Sequence, residues 1–200
     1  HTEGARTVGK TVMGDMGLAG NGHSSAFGPT LNPHDDAYLS GGSSGGSAIA
    51  VLTGDVDVAL GSDQGGSIRA PAAWTGIVGH KPTHELVPYT GCVGIEQTID
   101  HAGPLAPDVE TAARTLTVIA GRHPADPRQP ASVPTERYAD ALDGDVSELS
   151  IAVVSEGFDR PEHDERVNRR VRAGLDTLES LGATVEEVSI PIHADAMDIY

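Results

Sequence analysis

Gly61-Ser62-Asp63-Gln64-Gly65-Gly66-Ser67-Ile68-Arg69 is the run that decides how this chain is read, and Gly41-Gly42-Ser43-Ser44-Gly45-Gly46-Ser47 stands shortly before it. A serine flanked by glycines offers its hydroxyl beside bare backbone N–H groups. Acyl transfer needs that combination, a nucleophile together with donors for an oxyanion. Gly65 and Gly66 let the backbone take φ > 0 and turn successive N–H groups into one concavity. A helix starting just beyond would add positive potential there. Each run alone also fits a plainer role, a structural glycine turn at 61–67 and a flexible linker at 41–47. The linker role sits poorly with the apolar segment into which the 41–47 run leads directly.

The elements around these runs follow from periodicity. Ala48-Ile49-Ala50-Val51-Leu52 is apolar on all sides and predicts a buried helix over about 45–53, stopped by Gly54. Val56-Asp57-Val58-Ala59-Leu60 alternates and predicts a strand that ends where the 61–69 run begins. Residues 68–74 are expected as a short helix ending at Gly76. Residues 5–9 suggest a short strand. Residues 12–42 hold many glycines and read as loop, and residues 77–107, with Pro82, Pro88, Pro104 and Pro107, read as irregular. Asp108 is a good N-cap for a helix to about Ala120, with Gly121 after it. Residues 122–135 read as an exposed connection. Strand 151–154, an amphipathic helix carrying Val167, Val171, Leu175 and Leu178 and ending at Gly182, and strand 184–190 suggest a βαβ unit with parallel pairing.

Two hundred residues suit one domain or one and a part, and no second domain boundary is evident. Aromatics make up only 4%, so aliphatic side chains must supply most of the burial. The formal net charge of −16 argues against nucleic acid or an anionic membrane as a direct partner. Only Lys10 and Lys81 are lysines, and the other basic residues are arginines. An acid-rich, lysine-poor surface fits a salt-adapted protein and equally an ordinary acidic one. Cys92 is the single cysteine, so no intrachain disulfide forms, and a cytoplasmic location is the simplest expectation. No apolar run is long enough to span a membrane, and the first residues carry no signal-peptide pattern. The chain begins with His1 and stops at Tyr200 just after Pro191, so both termini read as cut.

Two other motifs carry little. Gly4-Ala5-Arg6-Thr7-Val8-Gly9-Lys10-Thr11 fits the phosphate-loop pattern, but no room exists for a strand before it and glycines interrupt any helix after it. His80 and His84 are four residues apart, yet Pro82 between them breaks the helix that would align them on a metal. No metal or cofactor is expected. His80 and His101 are conceivable bases for Ser67, but nothing in the sequence selects either, and the G-x-S-x-G elbow is absent around Ser67.

In order along the chain, Gly9-Lys10-Thr11, Asn32-Pro33, GGSSGGS at 41–47, GSDQGGSIRAPAA at 61–73, GIVGHKPT at 76–83 and DHAGPL at 100–105 resemble the amidase signature family. The resemblance is strong over about 5–121 and weaker beyond. With Gln64 and the stretches 80–83 and 87–91, it is most similar to the broad-specificity amidases associated with nitrile breakdown. It implies an α/β fold with a mixed central sheet flanked by helices, incomplete here, so that 1–200 is a partial amidase-signature domain truncated at both ends. It further implies a Ser–cis-Ser–Lys triad. Ser67 is then the acyl-ester nucleophile and Ser43, after a cis bond to Gly42, the relay. The N–H groups of Gln64, Gly65, Gly66 and Ser67 form the oxyanion hole, with Gly42, Asp63 and Arg69 in support. The implied reaction turns a small-molecule amide and water into a carboxylate and ammonia. The alternatives are the A subunit of glutamyl-tRNA(Gln) amidotransferase, expected to carry Thr at the Gln64 position, and a truncated non-catalytic scaffold or binding protein. A homodimer is left open. The triad lysine of the family lies further before the first serine run than the 42 residues (43 − 1) present here, and neither Lys10 nor Lys81 matches it. The isolated chain is therefore expected to be inactive.

Overall fold

The computed structural model describes residues 3–158, 160 and 163–199, in two compact units, His1–Ala141 and Leu142–Tyr200. His1, Thr2 and Tyr200, part of the reading of cut termini, lie outside the described residues. The architecture is mixed α/β.

In the first unit a hairpin of β1 (Leu31–Asn32) and β2 (Asp35–Leu39) leads into α1 (Gly45–Leu52), then β3 (Ala59–Asp63) and α2 (Arg69–Thr75). Short β4 (Val78–Gly79), β5 (His101–Ala106) and α3 (Val109–Ile119) complete it. β5 lies between β3 and β4, antiparallel to both, with Asp63 opposite His101 and Leu60 opposite Pro104. The core under this sheet is small and aliphatic: Ala48 and Val51 from α1, Ile68, Ala72 from α2 and Leu105 from β5. Ile68 and Leu105 are fully enclosed, worth about 1.5–3 kcal/mol each.

The all-round apolar run at 48–52 became α1 as expected, and Asp108 caps α3 by accepting from the Thr111 N–H. Gly76 ends α2 with φ of +81°. Three expectations shift. The strand expected at 56–60 occupies 59–63 instead, because β5 offers a partner as far as His101, so the first three residues of the 61–67 turn are strand. Proline and glycine hid β5 within the supposedly irregular 77–107, and pairing on both edges outweighs its poor local propensity. The 5–9 segment forms no strand, while the β1–β2 hairpin lies in what read as loop.

The second unit holds β6 (Ser150–Val154), α4 (Glu165–Ser180) and β7 (Thr184–Val188), followed by a 3₁₀ turn and α5 (Ala196–Ile199). β6 and β7 pair in parallel from Ser150–Thr184 to Val154–Val188, the expected βαβ unit. Asp164 caps α4 and Gly182, at φ +108°, closes it. No helix among the described residues is long and apolar enough to cross a membrane.

Candidate active site

Asp63 shapes the loop that carries Ser67. It ends β3 completely buried, and its carboxylate accepts from the N–H groups of Gly66 (2.8 Å), Ile68 (3.1 Å) and Arg69 (3.3 Å). The Arg69 guanidinium closes on it as a fork, Nε to Oδ2 at 3.0 Å and Nη2 to Oδ1 at 2.8 Å. Burial pushes the Asp63 carboxyl up, but the Arg69 and backbone donors together outweigh it, so it stays below its ordinary range and ionised. One buried anion thus folds residues 63–69 around itself. Gly66 sits at φ +131°, which strains any side-chain-bearing residue. The N–H of Gly66, one of the expected oxyanion donors, donates here to Asp63. The N–H groups of Gln64, Gly65 and Ser67 donate to no acceptor among the described residues.

The first serine run meets this loop through backbone. The peptide bond Gly42–Ser43 is cis. Ser44 N–H donates to the Ser67 carbonyl (3.1 Å), and Ser44 Oγ lies 3.3 Å from both the N–H and the carbonyl of Ser62. The glycines at 45–46 are the first turn of α1 rather than a linker, and they admit close backbone: a Cβ on Gly46 would strike Val12, and one on Gly45 would lie 2.6 Å from Thr30 Oγ1. The Gly-rich segment before the hairpin packs against Ser43, whose carbonyl accepts from Gly14 N–H (2.9 Å). Sequence reading missed this role of Gly14, where a Cβ would meet Ala19 and come within 3.4 Å of Ser43 Cβ.

Ser43 Oγ is buried and makes no hydrogen bond among the described residues. Ser67 keeps 8% of its surface exposed. No hydrogen bond joins the two hydroxyls among the described residues. Lys10 is exposed, and Lys81 Nζ donates to the Pro82 carbonyl (3.0 Å), so neither is bonded to Ser43. Of the weighed histidines, His101 turns Nδ1 to the Ile99 carbonyl (2.6 Å) and packs edge-to-face on His84, and His80 is exposed. Although His80 is exposed as a residue, the protein atoms crowding its ring displace water from it and, with neighbouring cationic Lys81, lower its pKa; burial likewise lowers that of His101. Neither is bonded to Ser67.

A polar network also reaches the loop. Gln64 Nε2 donates to Asp100 Oδ1 (2.8 Å) and Tyr89 Oη (3.2 Å). A carboxylate oxygen can only accept, so Nε2 must face Asp100, which leaves Gln64 Oε1 buried without a donor. Asp126 and Gln129 are buried too, correcting the reading of 122–135 as fully exposed. Beside this network, Tyr89, Cys92, Asp100, Asp126 and Arg128 line a cleft of about 230 Å³. No cluster of potential metal ligands occurs among the described residues.

A buried carboxylate template, two serine loops in backbone contact and a cis bond before Ser43 are set out in the order of the amidase-signature motifs, and the chain matches the Amidase family over residues 1–200; it belongs to that family. It is 48% identical, over 98% of its length, to the A subunit of glutamyl-tRNA(Gln) amidotransferase of Natronomonas pharaonis and covers 46% of that protein. It is 47% identical, over 98% of its length, to an enantioselective amidase of Rhodococcus rhodochrous and covers 38% of it. Among solved structures, the A subunit of the Thermotoga maritima amidotransferase superposes with a TM-score of 0.90 at 38% identity, over 96% of this chain and 42% of that one. A peptide amidase in complex with the competitive inhibitor chymostatin superposes at 0.86 and 34%, over 98% and 41%. The chain spans less than half the length of these relatives. The similarity to the amidotransferase proteins stands level with or ahead of that to the amidases, and so does not bear out the lean toward free-standing amidases drawn from Gln64.

Proposed function

We propose that these residues form the acyl-transfer centre of an amide-cleaving enzyme of the amidase-signature family. The observation that carries this reading is Ser43 Oγ, a buried hydroxyl beside the Ser67 loop with no hydrogen-bond partner among the described residues. Burying such a group unpaired costs about 1–3 kcal/mol, and a catalytic role as proton relay is one reason for a fold to keep it. In the proposed reaction a neutral base takes the Ser43 proton as Ser43 takes that of Ser67. Ser67 Oγ bonds to the amide carbonyl carbon, and the oxyanion is held by the N–H groups of Gln64, Gly65 and Ser67. The C–N bond then breaks, the relayed proton leaves with the nitrogen as ammonia, and the ester on Ser67 passes to water. The family's base is a lysine, and neither Lys10 nor Lys81 fills that position.

Two versions share this chemistry. The similarity to the Natronomonas and Thermotoga proteins supports a glutamyl-tRNA(Gln) amidotransferase subunit, which releases ammonia for use within a complex of partner chains. Gln64, tied to Asp100 and Tyr89, supports the second version, an amidase acting alone on small amides. The test uses the protein expressed from its complete gene. Ser67→Ala should abolish both ammonia release and labelling by a fluorophosphonate, and labelling that survives would reject Ser67 as nucleophile. Ammonia release from simple amides without partners supports the amidase. Glutamine-dependent amidation of glutamyl-tRNA(Gln), only with partner subunits, supports the amidotransferase.

A further inference from the structure

Arg128 is far from Ser67 in sequence, yet its guanidinium gathers three segments of the first unit. Nε and Nη2 grip Asp126 Oδ1 (3.0 Å) and Oδ2 (2.8 Å), and Nη1 donates to the Asp100 carbonyl (3.0 Å). Its carbon centre lies 5.0 Å over the Tyr89 ring. Asp126 Oδ2 in turn accepts from the Tyr89 N–H (2.7 Å). The pair is nearly sealed from water, with 10% of the Arg128 and 2% of the Asp126 side chain exposed. Tyr89 and Asp100 are the two residues that hold the Gln64 side chain. The backbone of Gln64 begins the loop in which the N–H groups of Gln64, Gly65 and Ser67 have no acceptor among the described residues.

We propose that Arg128 is a positioning residue for the Ser67 loop: through Tyr89 and Asp100 it fixes Gln64, and with it the N–H groups that would hold the oxyanion. This rests on the amide-cleavage reading. A lysine cannot replace the fork, because it offers one point charge where Arg128 makes three directed bonds and a ring contact. The buried Asp126 is compensated by the same fork, so removing Arg128 alone would strand a charge and confuse positioning with unfolding. The informative variants are therefore Arg128→Lys and the neutral double variant Arg128→Met with Asp126→Asn, which leaves an acceptor for Tyr89 N–H.

Losing an oxyanion donor outright costs about 10²–10³ in kcat, and a donor let loose costs part of that, so the double variant should lose about 10- to 100-fold in kcat with KM moving less than about threefold. Arg128→Lys should fall between it and the parent. In the double variant, hydrogen exchange at the Gly66 N–H, the one of Gln64–Ser67 that is hydrogen-bonded in the parent, should quicken while exchange in α4 stays as in the parent. A kcat within about twofold of the parent, or unchanged exchange at the Gly66 N–H, overturns the proposal. A parent that cleaves no amide, or still does so as Ser67→Ala, defeats the amide-cleavage reading instead, and the exchange measurement then decides alone whether Arg128 holds the loop.

Discussion

Ser44 N–H donates to the carbonyl of Ser67 at 3.1 Å, and through this bond the two serine runs share one backbone junction. Ser44 does the stitching, with a second tie from its Oγ to Ser62. The neighbouring Ser43 has a buried hydroxyl with no hydrogen-bond partner among the described residues. Adjacent serines therefore divide structure from chemistry, and their alanine variants should separate the two.

Ser43→Ala removes an orphaned polar group and should leave stability unchanged or raise it by up to about 1–3 kcal/mol, while lowering kcat by about 10²–10⁴ as a lost proton relay would. Ser44→Ala deprives Ser62 N–H of its acceptor and should destabilise by about 1–3 kcal/mol. Urea titrations beside steady-state kinetics check both. A Ser43→Ala protein clearly less stable than the parent would mean that its hydroxyl is structural.

Asp63→Asn should loosen the nucleophile loop. The buried carboxylate serves three backbone N–H groups and the Arg69 fork. Arg69 itself is half exposed, 52% by side chain, so it loses little when left alone. The expected cost is about 3 kcal/mol, the low end for breaking a buried pair. Denaturant midpoints measure it, and a change below about 1 kcal/mol would show that the backbone holds the loop without its anion.

How much of this was legible in the sequence depends on where each signal resides. The α1 run, the Asp108 cap and the parallel βαβ unit of 150–188 are written in local periodicity, and the structure has them. β5 was not legible: Gly103 and Pro104 argue against a strand, and only β3 and β4 on either edge make it one. The motif order around Ser43 and Ser67 could be read as a site. The Gln64–Tyr89–Asp100–Arg128 network could not, because its members are brought together by loops with no period of their own.

Acid should destabilise the first unit at a defined point. The Arg128 fork holds the Asp126 carboxyl well below the usual carboxylate range, and Asp63 is lowered as well, its donors outweighing burial. A carboxyl with a depressed folded pKa stabilises at pH values above its unfolded value, and that stability is lost as pH falls through the folded pKa. Unfolding free energy should thus be level with respect to these two groups above about pH 5 and decline below about pH 4. In the Arg128→Met, Asp126→Asn double variant the decline should be shallower, as followed by denaturant titration at stepped pH. An equally steep decline would exclude Asp126 as a contributor.

Gly42 should tolerate no side chain. A Cβ there would strike the Ala19 carbonyl oxygen and come within 2.8 Å of Gly22 N, both backbone atoms that cannot swing aside. Gly42→Ala is expected to cost about 3 kcal/mol, the upper part of the range for overpacking. Gly20, where a Cβ would meet nothing within 4 Å, is the control; Gly20→Ala should be neutral or stabilising by up to about 1 kcal/mol. Equal midpoints for the two variants would refute the steric argument.

Salt should stabilise this protein. Twenty-nine acidic residues face thirteen basic ones, a formal charge of −16. Raising ionic strength from 0.1 M to 1 M shortens the screening length from about 10 Å to about 3 Å, so repulsion among unpaired surface carboxylates fades. The same salt weakens exposed pairs such as Arg114–Glu110 and Arg137–Asp140, but each is worth only about 0–1 kcal/mol. The close-packed Arg128–Asp126 pair is screened least. Net repulsion outweighs these weak pairs, so the melting temperature should rise between 0.1 M and molar KCl. Thermal unfolding followed by circular dichroism across that range checks it, and a melting temperature that falls would mean that the ion pairs, not the excess charge, dominate the surface.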